Sequence, residues 1–259
     1  MNIVYIKLFN SSFIKIDERI LKENYNLKTF LLRSDSPVKF FMSIVRLILF
    51  LIYNVFWADI YFTRFADYHA SILTFFSKIF FKKQIIVVGG YDVASIPDLN
   101  YGVHSNKLRS RLVKYALKYA DLLLPNAEAL VNYKSNFRDQ SIKGGITNFV
   151  PNPNGIIKVV KNGFDIDFWI NVEHVKKEMI AITVGRISDY KTFKRKGIDY
   201  FIEVARALPK YNFIIVGMSK SFIKKYKLLI PSNVIVIDFL QQTELIKYYL
   251  KAKVFCLFT

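Results

Sequence analysis

The fold is decided by the stretch Val184-Gly185-Arg186-Ile187 and by Lys196-Gly197-Ile198-Asp199, which begins ten residues after Arg186. Residues 180–184 are apolar and predict a buried strand that ends at Gly185, and the spacing of apolar residues over 198–208 predicts a helix. The segment between them is predicted to be a loop, and its cations are Lys191, Lys194, Arg195 and Lys196. Fixed cations beside a helix N-terminus favour phosphate binding, whereas the alternative for a basic loop is a solvated turn.

The rest of this half alternates strands with helices. Apolar runs predict strands at 213–217, 233–237 and 253–258, and helical spacing predicts a helix at 243–250. Strands that alternate with amphipathic helices form βαβ units around a parallel sheet. We therefore predict an α/β domain whose ligand site lies where the strands end.

This part of the chain resembles the family 4 glycosyltransferases of the GT-B fold (glycosyl transferases group 1). The motifs that carry the resemblance, in the family's order and spacing, are Val160-Lys161-Asn162-Gly163-Phe164-Asp165, Val184-Gly185-Arg186, Lys196-Gly197, Val216-Gly217, Asn233-Val234 and the segment 244–255. The resemblance implies two Rossmann-like domains with parallel sheets: an acceptor-side domain at 1–160 and a nucleotide-sugar-binding domain at 161–259.

The implied activity is transfer of a sugar, with retention, from a nucleoside-diphosphate sugar to an acceptor hydroxyl. By the same resemblance, Arg186 and Lys196 bind the diphosphate, and the base and ribose lie near Gly217 and Asp238-Phe239-Leu240. Gly185 belongs to the same donor site. No bound cofactor or metal is implied, because cationic side chains neutralise the leaving phosphate. The expected acceptor is a saccharide or a lipid-linked molecule in cell-envelope polysaccharide or glycolipid synthesis.

Members of this family continue beyond the strand that corresponds to 254–257 into a glycine-rich loop with two glutamates. The present sequence ends at Thr259. We therefore expect a truncated GT-B polypeptide with an incomplete C-terminal domain, whose last strand has an uncovered edge. The alternatives are a catalytically inactive remnant or a split-enzyme subunit that binds nucleotide or a partner, and a basic protein that binds membrane surfaces.

The first half predicts a second Rossmann-like unit. Its expected strands are residues 2–8, 27–32, 59–62, 84–88, 121–124 and 156–160, and a helix is expected to begin at 126 and run through 131. Ligands of open parallel sheets bind beyond the carboxyl ends of the strands. Residues 10–12, 89–92 and 125–128 follow such ends, and the site is therefore expected among them.

Two residues of this half are candidate catalytic groups. Asp92 closes the loop Gly89-Gly90-Tyr91-Asp92, whose glycines allow a ligand to approach the backbone closely, and the resemblance implies an acidic or histidine side chain facing the donor sugar there. His69 follows the preceding strand and is expected to contact acceptor or donor. The alternatives are a glycine turn capped by Asp92 and a histidine with a structural role.

Composition suggests the surroundings of the protein. The net charge of +18 requires an anionic partner, either a nucleotide, an anionic membrane surface or nucleic acid. Nucleic acid is disfavoured because zinc-finger spacing and ribonucleoprotein motifs are missing from the sequence. The single cysteine and the absence of a signal-peptide pattern predict a cytoplasmic protein.

The segment 40–57, FFMSIVRLILFLIYNVFW, is the most lipid-like part of the chain. It approaches the length of a membrane span, but Arg46 lies inside it and a strand is predicted directly after it. Two interpretations remain ahead of a span. The segment is either a buried helix of the first domain or an interfacial helix on the inner face of the membrane.

Overall fold

The computed structural model describes residues 1–32, 36–133, 142–169 and 175–258. The chain forms two compact units, Met1–Asp165 and Ile166–Thr259, so that the division lies five residues beyond the predicted boundary of 160. Each unit is built on a parallel sheet flanked by helices. Both are Rossmann-like, and the predicted α/β architecture with two parallel sheets is confirmed.

The first unit contains a six-stranded sheet in the order β2-β1-β3-β4-β6-β8 and a short antiparallel pair, β5-β7. The strands are β1 Asn2–Lys7, β2 Asn26–Leu31, β3 Ile60–Arg64, β4 Lys83–Val88, β5 Ala94–Ser95, β6 Leu122–Pro125, β7 Lys143–Gly144 and β8 Ile156–Ile157. Every pair in the larger sheet is parallel. Residues 10–12, 89–92 and 125–128 therefore follow or end strands at one carboxyl edge, as predicted.

The helices of the first unit cover both faces of its sheet. They are α1 Ser12–Asn24, α2 Pro37–Asn54, α3 Tyr68–Ile79, α4 Lys107–Tyr119 and the single turn α5 Ile146–Phe149. On one face, α1 buries Ile14 against Tyr5 and Val87. On the opposite face, α2 and α3 pack on β1 and β3, and α4 packs beside α3 on β4 and β6.

Helix α2 is apolar on the side that packs on the sheet and also over much of its outer side. It begins with Pro37 after Ser36, whose hydroxyl accepts from the backbone N–H of Lys39. Leu47 and Leu51 are fully buried against the sheet. By length and composition this helix is the one candidate for a membrane span among the described residues, and 22% of it is buried. Because parallel strands of one sheet precede and follow it, it lies across that sheet.

The second unit has a four-stranded parallel sheet in the order β11-β10-β9-β12. Its elements are α6 Ile166–Trp169, β9 Glu178–Ile187, α7 Tyr190–Arg195, α8 Ile198–Ala207, β10 Asn212–Met218, α9 Lys220–Lys225, β11 Val234–Ile237, α10 Gln242–Lys251 and β12 Ala252–Phe255. Phe201 and Ile215 are fully buried in the core between α8 and the sheet. Helix α10 packs on the other face through half-buried Leu245.

Four local predictions were wrong. Strand β9 does not end at Gly185 but continues to Ile187, because an irregularity in its pairing with β10 accommodates Gly185 and Arg186. The predicted basic loop is largely helix α7, since Asp189 accepts from the N–H of Thr192 and caps a first turn. Around 126–131 there is only a three-residue turn, and the predicted strand at 156–160 is two residues long.

Strand β12 forms one edge of the sheet in the second unit. It pairs with β9 on one side, and Val254 and Phe255 are each about half exposed. Exposed apolar side chains along a sheet edge favour pairing with another chain. We therefore predict that copies of this chain associate through β12.

We expect Val254→Lys to reduce concentration-dependent self-association, because a charge on an edge strand opposes pairing between strands. Light scattering over a range of protein concentrations measures the effect. Leu229→Lys is the matched control, since Leu229 is exposed outside the sheet and the added charge is the same. An equal decrease in both variants would show that net charge, and not the edge, governs association.

Candidate functional site

The second unit contains a cavity of about 510 Å³ at the carboxyl edge of its sheet. Its walls come from the ends of β9, β10 and β11 and from the first turns that follow them. The lining residues are Val184, Gly185, Arg186, Ile187, Ser188, Val216, Gly217, Ser219, Asp238, Phe239, Leu240 and Leu245. Four of the five residues predicted to bind the donor, namely Gly185, Arg186, Gly217 and Phe239, therefore line one cavity.

Two glycines form the floor of this cavity through a close contact between neighbouring strands. Gly217 has φ +97°, and a Cβ atom added to it would lie 2.0 Å from the carbonyl oxygen of Gly185. The pairing of β9 with β10 is irregular there, with two residues of β9 opposite Gly217. A side chain at position 217 would separate the strands, so glycine is required for the shape of the site.

The fifth predicted residue, Lys196, reaches the same place from the end of α7. A Cβ atom added to Gly185 would lie 2.8 Å from Nζ of Lys196, so the ammonium group lies directly over this glycine. Burial lowers the pKa of Lys196, and the charge of Arg195 lowers it further. A partly desolvated ammonium group is stabilised by an anion at the same site.

The cations of this region differ in their partners. Lys194 pairs with Asp199, and this hydrogen bond raises the pKa of Lys194. Within the described part of the chain, neither Arg186 nor Lys196 has an ion-pair partner. The two cations predicted to bind phosphate are therefore available to an external anion, whereas Lys194 is engaged within the protein.

The N-terminus of α8 lies next to the end of the described chain. Gly197 adopts a left-handed conformation, with φ +59°, and precedes α8. A Cβ atom added to Gly197 would lie 2.5 Å from the carbonyl oxygen of Phe258. Phe258 thus packs on the residue before this helix.

Sequence reasoning missed Ser188, Ser219 and Leu245. Ser219 follows β10 and accepts from the N–H of Phe222, so it caps α9, and the available signal was a serine directly after an apolar strand. Asp238 lines the cavity as its one carboxylate among the described lining residues. It lies beside Phe239, which is largely exposed.

In the first unit, Asp92 is buried and joins two strand ends. Its Oδ2 atom accepts from the backbone N–H of Ala66, at 3.0 Å, and from that of Gly89, at 2.8 Å. Burial raises the pKa of Asp92 to about 7, although the two N–H groups favour the charged form. Since its side chain faces the interior, Asp92 holds the ends of β3 and β4 in place.

The glycines before Asp92 have different surroundings. A Cβ atom added to Gly89 would lie 2.4 Å from the ring of Phe65, so Gly89 makes room for this ring and not for a ligand. Space around Gly90 is open among the described residues. Phe65 has φ +70°, which is strained for a bulky residue, and stacks on Phe9 at 5.7 Å. Strained residues of this kind cluster at functional sites.

His69 has no exposed surface. Its Nε2 atom lies 2.8 Å from the hydroxyl of Thr63, and among the described residues its Nδ1 atom has no hydrogen-bond partner. Burial lowers the pKa of His69 to about 4, so the ring is neutral. A fully buried position favours a structural role for His69 over contact with a substrate.

Polar groups that sequence reasoning did not single out surround these loops. Arg109 on α4 forms hydrogen bonds with Asp67 and with the hydroxyl of Tyr91, which places a guanidinium group beside the glycine loop. Arg64, at the end of β3, pairs with Asp17 at 2.7 Å. Within the described residues, no group of three histidine, cysteine or acidic side chains could hold a metal ion.

Comparison with known proteins agrees with this geometry. Residues 165–258 match the family model of glycosyl transferases group 1. The match covers nearly the whole of the second unit and no part of the first unit other than Asp165. A comparison with curated proteins gave no match for the chain.

Solved structures resemble the chain over both units. The UDP-GlcNAc 2-epimerase of Methanocaldococcus jannaschii aligns with a TM-score of 0.55 and 10% identity, covering 98% of this chain and 78% of the epimerase. The epimerase of Neisseria meningitidis bound to UDP-GlcNAc gives 0.52 and 13%, covering 98% and 77%. A structure of trehalose-6-phosphate synthase, described in connection with enzymatic glycosyl transfer with retention, aligns with a TM-score of 0.55 and 10% identity, covering 98% of this chain and 76% of the synthase. At this identity the likeness establishes the GT-B fold.

The position of Asp92 predicts how stability depends on pH. In the folded protein the pKa of Asp92 is about 7, above the ordinary value of 3.8. The stabilising contribution of the protonated carboxyl group is therefore complete below the ordinary pKa of 3.8 and is lost as pH rises through about 7. Asp92→Asn does not titrate and keeps an oxygen acceptor. Relative to wild type, we expect its free energy of unfolding to rise by up to about 4 kcal/mol between about pH 4 and about pH 8.

Denaturant unfolding of both proteins across this pH range measures the difference, and the contributions of the other titrating groups common to both cancel. Asp92→Ala is the control, because it leaves the N–H groups of Ala66 and Gly89 without this acceptor. It should be destabilised by roughly 1–3 kcal/mol for each unpaired group. Parallel pH profiles for wild type and Asp92→Asn would contradict the raised pKa.

Proposed function

We propose that this protein is a glycosyltransferase of family 4 that moves a sugar, with retention, from a nucleoside-diphosphate sugar to an acceptor hydroxyl. The observation that carries the proposal is the pair of unpaired cations, Arg186 and Lys196, beside the glycine floor of the cavity in the second unit. The family match of this unit supports the reaction class.

The cations act on the leaving group. When the bond between the anomeric carbon and the phosphate oxygen breaks, negative charge develops on the nucleoside diphosphate. Arg186 offers a planar fork of N–H donors to this charge, and Lys196 offers a compact charge. Donors fixed where charge develops are worth roughly 3 kcal/mol each in comparable sites. No metal ion is required in this proposal.

The cavity also orients the donor. Asp238 repels phosphate groups, which in this proposal lie at Arg186 and Gly185, beside the ammonium group of Lys196. The hydroxyls of a ribose are suitable hydrogen-bond donors to Asp238, and the exposed ring of Phe239 offers a surface for a base. Uridine is the first base to test, since related folds are described in complex with UDP or UDP-GlcNAc.

The acceptor belongs to the first unit in this proposal. Residues at the carboxyl edge of its sheet, including Tyr91 and Arg109, present polar groups to a saccharide or lipid-linked acceptor of the cell envelope. Asp92 acts as a positioning residue, because it accepts hydrogen bonds from the backbone just after β3 and just after β4. His69 supports the same region from the core.

Nucleotide binding tests the carrying observation. We expect Arg186→Ala and Lys196→Ala each to weaken UDP binding about tenfold or more, because hydrogen bonds to charged groups contribute about 1.5–3 kcal/mol. Isothermal titration calorimetry measures the affinities. Lys191→Ala is the matched control, since Lys191 is an exposed cation of the neighbouring helix α7 that does not line the cavity.

A second variant separates position from charge. Gly185→Ala keeps both cations but places a methyl group 2.8 Å from Nζ of Lys196, which must move away, so the variant should also weaken UDP binding. Wild-type affinity in Arg186→Ala and in Lys196→Ala would exclude this cavity as the diphosphate site.

Release of UDP from a UDP-sugar in the presence of candidate acceptors then tests the reaction. Sugar transfer that decreases in Arg186→Ala supports a transferase. Conversion of the sugar nucleotide without any acceptor would point to another reaction on the same fold. Binding without turnover would favour the alternative function, a catalytically inactive subunit that binds nucleotide.

A further inference from the structure

The helices on the two faces of the first unit differ in charge. Helices α2, α3 and α4 cover one face and contain eight basic residues and no acidic residue. Helix α1, on the opposite face, contains three basic and three acidic residues. Arg109 pairs with Asp67, and since the three helices contain no acidic residue of their own, the face keeps a positive excess. The charge of the unit is therefore concentrated on one side of its sheet.

The same face exposes apolar side chains in a helical stripe. Along α2 the exposed positions recur every three or four residues, and Val38, Phe41 and Leu49 are 73%, 66% and 60% exposed. Phe75 on α3 is also more than half exposed. After α3, Phe81 is 93% exposed and has φ +52°, a conformation that a bulky residue rarely adopts.

A cavity of about 680 Å³ opens between these three helices. Its walls include Phe40, Ile44, Ile72, Phe75 and Leu112, and the surface they present is apolar. Pockets for small ligands normally include a few polar groups that fix orientation. An acyl chain needs room and an apolar lining without such groups, and this cavity provides both.

From these observations we propose that the outer surface of α2, α3 and α4, called here the basic face, docks on an anionic lipid bilayer. Apolar side chains of α2 enter the region between headgroups and acyl chains, and the surrounding Lys and Arg side chains contact the headgroups. The cavity accommodates an acyl chain. Helix α2 does not cross the bilayer, because Leu47 and Leu51 on its inner side are packed on the sheet.

Two other occupants of such a surface, a second copy of this chain and a nucleic acid, are disfavoured. A second copy of this chain would bring the same positive excess, so pairing between two basic faces is opposed by repulsion. Nucleic acid would meet the exposed apolar stripe of α2 on this face, where hydrogen-bond donors are needed. An anionic bilayer matches both the apolar stripe and the basic side chains.

Flotation of the protein with vesicles of phosphatidylcholine, with and without phosphatidylglycerol, tests the proposal. We expect binding to vesicles that contain phosphatidylglycerol and much weaker binding to phosphatidylcholine alone. Phe41→Gln/Leu49→Gln should reduce the partition coefficient about tenfold, because it removes exposed apolar groups from the stripe. Leu229→Gln/Ile235→Gln is the matched control with two exposed apolar residues of the second unit.

A charge reversal distinguishes the basic face from the overall net charge of +18. Arg46→Glu lies on α2, and Lys210→Glu makes the same change of charge on an exposed residue of the second unit. Binding should weaken clearly more in Arg46→Glu. Equal effects of the two reversals, equal effects of the two double variants, or no binding to vesicles that contain phosphatidylglycerol would each overturn the proposal.

Discussion

The contact between the backbones of Gly185 and Gly217 is the constraint on which the second unit depends. Two adjacent parallel strands approach so closely at their carboxyl ends that a Cβ atom at position 217 would lie 2.0 Å from a carbonyl oxygen. This contact requires an irregular register, which inserts Gly185 and Arg186 opposite one residue of β10. The cavity floor, the position of Arg186 and the space occupied by Lys196 all follow from it.

The parallel sheets and the donor cavity could be predicted from the sequence because they depend on local patterns. Apolar runs of strand length and helices with a regular apolar spacing identify βαβ units, and the order of strands then places their ends at one edge. The resemblance to group 1 glycosyltransferases then implied that Gly185, Arg186, Gly217 and Phe239 belong to one donor site at that edge. None of these steps requires knowledge of a long-range contact.

Other features could not be predicted because they depend on tertiary contacts. The loop before Lys196 has the composition of a solvated turn, yet the cap from Asp189 and the burial of Phe193 make it a helix. Nothing in the sequence around Lys194 shows that Asp199 will neutralise it. The sequence likewise does not show that the basic segment of α4 lies on the same face of the sheet as α2 and α3, because this depends on how the three helices pack.

Asp92 illustrates how burial changes the meaning of a motif. An acidic residue after two glycines at a strand end suggests a group that faces a ligand, but this carboxyl group accepts hydrogen bonds from the two strand ends themselves. Its contribution to the site is therefore made through the positions of Ala66 and Gly89. The same burial raises its pKa, which couples the geometry of the loop to protonation.

Glycines at strand ends thus have two distinct uses in this protein. In the second unit, the space beside Gly185 holds the ammonium group of Lys196, and glycine is needed to position a charge at a cavity. In the first unit, the space beside Gly89 holds the ring of Phe65, and glycine is needed for packing. Both glycines come directly after an apolar run, so the sequence pattern is the same in each unit. The group that occupies the missing side chain's volume decides which glycine belongs to a ligand site.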